Sequence, residues 1–136
     1  MHCKLLLPLL ALLLAACSST PEPPPPRQSS AFDGFYQQWR GVPYRMGGSS
    51  RAGLDCSAFT QLAYQQVLGF NLPRTTESQA SLGTPVDRYR LQHGDLVFFK
   101  TGWQQYHVGV YTGAGEFIHA STSKGVIRSR LDNVYW

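Results

Sequence analysis

The chain has 136 residues, of which 43% are hydrophobic and 15% are charged. This length and composition allow one compact domain with a modest core and leave little room for a second domain. The formal net charge is +4, and the arginines are scattered without the interleaved aromatic residues of single-strand binders, so nucleic acid is a poor candidate partner. A mildly basic surface still suits an anionic polymer.

The amino terminus has the pattern of a signal peptide. Residues 1–4 are short and carry the positive charge of Lys4, and an almost unbroken apolar run extends from Leu5 to Leu14. The run is about 10 residues long, whereas a membrane-spanning helix needs about 20 apolar residues. We therefore expect residues 1–16 to be removed, which takes Lys4 away and leaves 11 basic and 8 acidic side chains, a net charge of +3.

The residues around Cys17 resemble the lipobox of bacterial lipoproteins, because Ala15 and Ala16 lead directly into this cysteine. The resemblance implies that Cys17 receives diacylglycerol and becomes an acylated amino terminus. The alternative is an ordinary cleaved signal followed by a chance cysteine. Ser18 stands where an Asp would retain such a lipoprotein at the inner membrane, so the resemblance implies an outer-membrane anchor that faces the periplasm.

Residues 17–30 comprise the lipidated cysteine and a segment rich in Pro and Ser, which cannot build a core and is expected to be an extended tether. The folded domain is then expected to span residues 31–136. Cys3 leaves with the signal and Cys17 is consumed by lipid, so Cys56 is the thiol left in the mature protein. A lone thiol is either buried and inert or retained for its reactivity, and composition alone favours the inert interpretation.

A helix is predicted over residues 57–68, which contain few helix breakers and end at Gly69. Asp55, just before this stretch, is a residue type that commonly caps helix amino termini. Cys56 then lies in the first turn, where unpaired backbone N–H groups and the helix dipole favour a thiolate and can hold an oxyanion. This placement favours a nucleophilic role for Cys56, provided that a base lies nearby. Apolar side chains at helical spacing form a core-facing stripe: Phe59, Leu62, Ala63 and Val67.

Four short segments rich in Val, Ile, Phe and Tyr follow, and glycine-containing turns separate them. This pattern predicts an antiparallel sheet. The predicted fold class is therefore α+β, with helices packed on that sheet. The four segments are residues 95–100, 106–112, 116–120 and 126–130.

The alternation of side chains along two neighbouring strands places two histidines on the same face. If residues 113–115 form a three-residue loop, Thr112 faces Glu116, and His107 and His119 project from the same face as diagonal neighbours, within about 7–8 Å of each other. A two-residue loop would place them on opposite faces. Each could be an ordinary polar residue, but two histidines on one face beside an unpaired cysteine favour a catalytic pair.

Papain-like catalysis needs a thiolate, an imidazole that exchanges its proton, and a polar group that orients the imidazole. Cys56, His107 and His119 supply these groups in that order. His93 lies in a turn-forming stretch and is most simply a turn residue. Without His93, the mature domain has too few His and Cys side chains for a four-ligand site, so the sequence predicts neither a metal nor a cofactor.

Several stretches of the chain occur in the order of a known set of motifs. These are Gly53-Leu54-Asp55-Cys56-Ser57-Ala58-Phe59, Leu72-Pro73-Arg74 with Gln79, Gly94-Asp95-Leu96-Val97-Phe98-Phe99, His107-Val108-Gly109-Val110-Tyr111, and Phe117-Ile118-His119-Ala120-Ser121. Over about residues 33–136 the chain resembles the NlpC family of papain-like cell-wall peptidases. The resemblance implies a papain-like fold in which Cys56 is the nucleophile, His107 the base and His119 the residue that orients His107.

The same resemblance implies roles for residues around the nucleophile. Tyr44 matches a family tyrosine that is thought to help the oxyanion site, and the alternative is a packed aromatic residue. Asp55 and Ser57 match positions that line the substrate groove, and Arg74, in the segment that links the motifs, is a further candidate for substrate binding. Family members usually continue beyond the Tyr-Trp pair with a basic segment, so we expect a truncation at Trp136 or a shortened last element.

Together these patterns predict a lipid-anchored peptidase that hydrolyses amide bonds through a thioester acyl-enzyme and needs no cofactor. The resemblance implies that its substrate is a murein peptide containing D-Glu and diaminopimelate, cut within stem peptides or at crosslinks. Two alternatives stay open: a non-catalytic lipoprotein that binds peptidoglycan, and an acyltransferase or amidase on the same fold. The predicted partners are peptidoglycan stem peptides and the membrane that holds the anchor, and the sequence is silent on protein regulators.

Overall fold

The computed structural model describes residues 31–133. The predicted signal peptide, the predicted lipidation site at Cys17, the predicted tether and the last three residues lie outside this range. Among the described residues, no helix is both long enough and apolar enough to cross a membrane. The elements in chain order are α1 (Ala31–Trp39), β1 (Ser49–Ser50), β2 (Gly53–Leu54), α2 (Cys56–Leu68), α3 (Thr76–Ala80), a 3-10 helix (Arg88–Arg90), β3 (Leu96–Gly102), β4 (Gln105–Gly113), β5 (Glu116–Ser121) and β6 (Gly125–Arg130).

Strands β3 to β6 form one antiparallel sheet in which each strand pairs with its neighbour in sequence. Helix α2 packs on β4 and β5, and α1 packs on α2 and reaches β6. The α+β fold with helices on an antiparallel sheet is confirmed. Buried apolar residues between the layers form the core, including Phe35, Leu54, Phe59, Val110, Ile118 and Val126.

Helix α2 has the cap residues that its sequence indicates at both ends. Asp55 has extended backbone angles, and its carboxylate accepts a hydrogen bond from the N–H of Ala58 at 2.9 Å. Gly69 ends the helix in the left-handed conformation, with φ of 66°, which glycine adopts without a steric penalty. The helix therefore starts one residue earlier than predicted, with Cys56 as its first residue.

The hairpin between β4 and β5 differs from the prediction. Gly113 pairs with Glu116, which leaves a two-residue turn of Ala114 and Gly115 with φ of 53° and 74°. Positive φ at both central residues is the requirement of a type I′ hairpin turn. The register also shifts between Tyr111 and Gly113, so β4 contains a bulge that inserts one extra residue. The predicted three-residue loop, with Thr112 facing Glu116, is therefore wrong.

The bulge nevertheless keeps the two histidines on the same face of the sheet. Val110 pairs with Ile118, and continuing that register puts Gly109 opposite His119, with His107 on the same face. The strands approach closely at Gly109, because a Cβ atom there would lie 2.8 Å from the carbonyl oxygen of Ile118 and 3.1 Å from the Cβ of His119. A side chain at position 109 would therefore push β5, and His119 with it, away from β4.

Candidate active site

Cys56 is placed by the short connection from β2 to α2. It is a free thiol, and only 7% of the residue is exposed. Its Sγ lies 3.5 Å from the Oγ1 of Thr76, at the start of α3. The predicted position of Cys56 in the first turn of a helix is confirmed, and the thiol also has a hydroxyl neighbour that the sequence did not indicate.

Asp55 and Arg74 form a bidentate ion pair beside the thiol. The Nη1 of Arg74 donates to Oδ1 at 2.9 Å, and its Nη2 donates to Oδ2 at 2.8 Å. Arg74 also donates to the Oγ of Ser57 at 2.8 Å and to the carbonyl oxygen of Gly48 at 3.3 Å. The three residues predicted to bind substrate, Asp55, Ser57 and Arg74, are thus connected to one another.

The surroundings of Asp55 favour its ionised form. Burial alone would raise the pKa of this carboxyl group, but hydrogen bonds from Arg74 and from the N–H groups of Ala58 and Gly47, together with the charge of Arg74, lower the pKa below its usual value. The hydrogen bond to Asp55 in turn raises the pKa of Arg74 above its usual value. Opposite charges therefore stand together at the start of α2, and each offsets the field of the other at Cys56.

Tyr44 lies next to β2 and forms a parallel bridge with Leu54. Burial, followed by the charges that Cys56 and Asp55 carry when ionised, raises the pKa of its phenol. Tyr44 is therefore protonated at neutral pH and close enough to Cys56 to feel its charge. Within residues 31–133, its hydroxyl donates a long hydrogen bond to the Sδ of Met46, at 4.0 Å.

His107 and His119 are in direct contact. The Nε2 of His107 lies 2.6 Å from the Nδ1 of His119, and the rings are nearly perpendicular at 86°. The Nε2 of His119 lies 2.8 Å from the Oγ of Ser129 on β6. A hydrogen-bonded chain thus runs from His107 through His119 to Ser129, which bears out the predicted pairing of the histidines.

Burial controls the charge of both rings. It lowers the pKa of His107 to about 4. Burial, with a smaller effect from the neighbouring His107, lowers the pKa of His119 to about 3. Both imidazoles are therefore neutral at neutral pH, and each has one nitrogen that donates and one that accepts.

Two neighbours of the candidate residues were missed by the sequence analysis, Ser129 and Thr76. Ser129 pairs with Phe117, so it lies on the same face as His119, and extending the parity argument to the next hairpin would have found it. Thr76 lies 20 positions from Cys56 on a separate short helix. No local pattern in the sequence indicates that contact.

The candidate residues form two groups: Tyr44, Asp55, Cys56, Ser57 and Arg74 around the start of α2, and His107, His119 and Ser129 on the sheet. The groups are joined because α2 packs on β4 and β5, which carry the two histidines. His93 lies in a turn, 3.7 Å from a carboxylate oxygen of Asp33, and belongs to neither group.

Other cavities and clusters do not coincide with this site. A cavity of about 1090 Å³ opens beside the edge strand β3, lined by Leu68, Phe70, Val86, Phe98 and Leu131 among others, and neither Cys56 nor the two histidines contribute to it. Within residues 31–133, no group of three or more His, Cys, Asp or Glu side chains is arranged to hold a metal ion.

A cysteine at the start of a buried helix, packed on a sheet that carries a pair of hydrogen-bonded histidines, is the arrangement of a papain-like α+β domain. Comparison with known families agrees with this class. Residues 41–136 match the model of the NlpC/P60 family, and the chain belongs to that family.

Two relatives of the chain are named as endopeptidases, and one of them is named as a murein endopeptidase. It is 56% identical over 102 residues to the probable endopeptidase NlpC of Escherichia coli K12, an alignment covering 74% of this chain and 66% of the relative. It is 48% identical over 101 residues to the murein DD-endopeptidase MepS/murein LD-carboxypeptidase of the same organism, covering 74% of this chain and 54% of that protein. The chain thus spans between about half and two thirds of the length of these relatives.

Solved structures show the same fold. The NlpC/p60 domain of the peptidoglycan hydrolase SagA superimposes with a TM-score of 0.69 at 32% identity, covering 77% of this chain and 91% of that domain. The papain-like α+β fold of this chain is therefore confirmed.

Proposed function

We propose that the protein is a cysteine endopeptidase that hydrolyses peptide bonds in peptidoglycan stem peptides or crosslinks. The observation that carries the proposal is the 2.6 Å contact between His107 and His119, made on strands that pack against the helix opened by Cys56. The names of the relatives, an endopeptidase and a murein endopeptidase, support the substrate class.

The proposed proton path follows from the hydrogen-bonded chain. With both rings neutral, the Nε2–H of His107 donates to the Nδ1 of His119, and the Nε2–H of His119 donates to the Oγ of Ser129. This assignment leaves the Nδ1 of His107 as the basic nitrogen that takes the thiol proton of Cys56. Ser129 and His119 then act by fixing the tautomer and orientation of His107.

The reaction proceeds in two halves. The sulfur of Cys56 attacks the amide carbonyl carbon, the C–N bond breaks, and the amine leaves with the proton that His107 accepted from the thiol. Water then loses a proton to His107 and attacks the thioester, the C–S bond breaks, and the thiol recovers its proton. We assign the oxyanion to the backbone N–H of Cys56, since Asp55 already accepts the N–H of Ala58, with the phenol of Tyr44 as a second donor.

Substrate binding is assigned to the charged group at the start of α2. The side chain of Arg74 keeps 40% of its surface exposed, whereas that of Asp55 keeps 10%. Arg74 is thus the group that a carboxylate of a stem peptide would meet. Asp55, Ser57 and the carbonyl oxygen of Gly48 take the four Nη–H groups of its guanidinium, so a substrate carboxylate would meet the Nε–H and the exposed positive charge.

We further propose that Cys17 anchors the mature protein by lipid to the outer membrane, facing the periplasm, as the Ala15-Ala16-Cys17 sequence predicts. The test is to replace Cys17 with Ser and fractionate the cells. The variant should leave the membrane fraction, and a variant that stays fully membrane-bound would rule out the lipid anchor.

The test of the activity is to incubate purified sacculi with the protein and to analyse the released fragments by mass. New peptide termini should appear with the wild type, and their masses identify the bond that is cut. Cys56→Ala should release nothing while its thermal midpoint stays within a few degrees of the wild type, since the change is small. Turnover by Cys56→Ala would remove the peptidase proposal, and sacculi that bind the folded wild type but remain intact would favour a non-catalytic binding protein.

A further inference from the structure

Thr76 is the residue whose hydroxyl lies beside the thiol, and neither the sequence motifs nor the proposed mechanism gives it a role. Its Oγ1 is 3.5 Å from the Sγ of Cys56. Both residues are buried, with 6% and 7% exposure. A hydroxyl can accept a hydrogen bond from a thiol or donate one to a thiolate, and a donor to the charged form favours that form.

The position of this hydroxyl is fixed from one side by Gln79. Thr76 and Gln79 are three residues apart on α3 and so lie on the same helix face. The amide nitrogen of Gln79 donates to the carbonyl oxygens of Ser57 at 3.0 Å and Pro73 at 2.9 Å, and its Oε1 accepts from the hydroxyl of Thr60 at 2.7 Å. Gln79 is 1% exposed, and its hydrogen bonds fasten α3 to the first turns of α2.

The position is fixed from the other side by Arg74, two residues before Thr76. Its bidentate contact with Asp55, and its further bond to Ser57, hold the chain just ahead of α3 against the start of α2. Thr76 therefore sits between two polar anchors, and both are attached to the residues that flank Cys56. The backbone of Thr76 is thus held close to the start of α2, where its hydroxyl contacts the sulfur.

We propose that Thr76 is a positioning residue for the nucleophile: its hydroxyl donates a hydrogen bond to the Cys56 thiolate, favours ionisation of the thiol, and holds the sulfur in place for attack. The role deepens the proposed peptidase function and rests on it for its catalytic meaning. The contact can be tested without peptidoglycan, because the rate at which a thiol is alkylated follows the fraction of the thiol that is ionised.

The experiment measures alkylation of Cys56 by iodoacetamide as a function of pH in the folded protein. Trypsin cleavage after Arg51 and Arg74 releases residues 52–74, which contain Cys56 and no other cysteine. Substitutions at position 76 fall outside this peptide, so mass spectrometry follows the same fragment in every variant. Three variants are compared with the wild type: Thr76→Val, which removes the hydroxyl at nearly constant shape, Thr76→Ser, which retains it, and Thr75→Val.

Thr75→Val is the matched control. Thr75 caps α3 by accepting the N–H of Ser78 at 3.2 Å, so its loss loosens the helix without removing a hydroxyl from the thiol. We expect the midpoint of the pH–rate profile to rise by about one pH unit in Thr76→Val, the size of a hydrogen bond to a charged group. Thr76→Ser and Thr75→Val should stay within about 0.3 unit of the wild type, which is well below that shift.

A Thr76→Val profile that superimposes on the wild type would overturn the proposal, as would an equal shift in Thr75→Val, since a loosened helix would then explain the effect. The outcome is independent of the peptidase assay. If the shift appears but sacculi remain uncut, the hydrogen bond stands and the proposed function fails. If sacculi are cut and the profile does not move, the peptidase stands and Thr76 loses its role.

Discussion

His119 contacts two polar groups at once, His107 through Nδ1 and Ser129 through Nε2. If His119 only orients His107, an amide should replace it in part, because papain-like enzymes use Asn for the same purpose. We expect peptidase turnover to fall in the order wild type, His119→Asn, His119→Ala. The Ala variant should lose up to about 10⁴-fold, the cost of leaving the base in the wrong tautomer.

The matched changes at His107 separate the two roles. His107→Asn and His107→Ala should both be inactive, because no amide can carry the proton. Ser129→Ala should cost less than His119→Ala, since it removes only the outer link of the chain. Activity in His107→Asn together with none in His119→Asn would mean that the base and its orienting partner have been exchanged.

The residues of the site that could be predicted from sequence are those that depend on local patterns. Cys56 follows from a capping residue and a run of helix formers, and the histidine pair follows from alternation along two neighbouring strands. Thr76 could not be predicted in this way, because its contact with Cys56 depends on how Gln79 and Arg74 fold a separate helix back onto α2.

At the scale of elements, the β4–β5 hairpin shows how a correct pairing can follow from a wrong loop. Residues 113–115 all have turn propensity, and assigning all three to the loop correctly predicted that the two histidines share a face. The structure reaches the same parity with a two-residue turn and a bulge. The shorter turn and the bulge each shift the register by one residue, and the two shifts cancel. Side-chain alternation repeats every two residues, so it cannot reveal a pair of shifts that cancel.

The turn itself makes a testable prediction. Ala114 is held at φ of 53°, which costs a residue with a Cβ about 1 kcal/mol or more. Ala114→Asn should relieve part of this strain and produce the sequence that type I′ turns prefer, so we expect the thermal midpoint to rise by roughly 2–5 °C. Ala52→Asn is the control, since Ala52 is also exposed in a turn but is not among the described residues with positive φ. An equal rise in both variants would show that backbone strain is not the cause.

Arg74 holds the segment between α2 and α3 against the start of α2 through its contact with Asp55. Replacing Arg74 should therefore lower the stability of the domain. Arg74→Met leaves the Asp55 carboxylate without its counter-charge, and because the arginine side chain is 40% exposed we expect a loss of only about 1–2 kcal/mol. The midpoint of thermal unfolding should decrease by roughly 5–10 °C. Arg74→Lys should retain part of the stability, since it keeps the charge but not the bidentate geometry.

Arg90→Met provides the control for the same change of side chain, because Arg90 forms no ion pair with another residue in the range 31–133. Its midpoint should stay close to that of the wild type. An equal decrease in Arg74→Met and Arg90→Met would contradict a specific role for the contact with Asp55.

For the whole molecule, the buried histidines couple stability to pH. Their pKa values, about 4 for His107 and about 3 for His119, lie below the unfolded value of 6.5. Between about pH 6.5 and pH 4 the histidines of the unfolded chain bind protons that those of the folded chain do not. The free energy of unfolding therefore falls as the pH falls below about 6.5, and the contribution of the two histidines is fully present above that pH. The slope should reach at most about 1.4 kcal/mol per pH unit for each histidine.

Urea unfolding at pH 7, 6 and 5 measures this slope in a range where few carboxylates titrate. His119→Asn should reduce the slope by about half, because one of the two protons is no longer taken up on unfolding. A variant with the full slope of the wild type would show that His119 is not held neutral in the folded protein.

The isolation of the thiol also determines how the domain responds to peroxide. Cys56 is the only cysteine in residues 31–133, and the neighbour of its sulfur is the hydroxyl of Thr76 rather than a second thiol. A sulfenic acid formed at Cys56 has no partner in this part of the chain with which to close a protective disulfide, so it is either reduced by another molecule or oxidised further to the sulfinic acid, which is not readily reversed. The same enclosure that surrounds Cys56 thus makes the survival of its thiol under oxidative stress depend on reductants supplied from outside the domain.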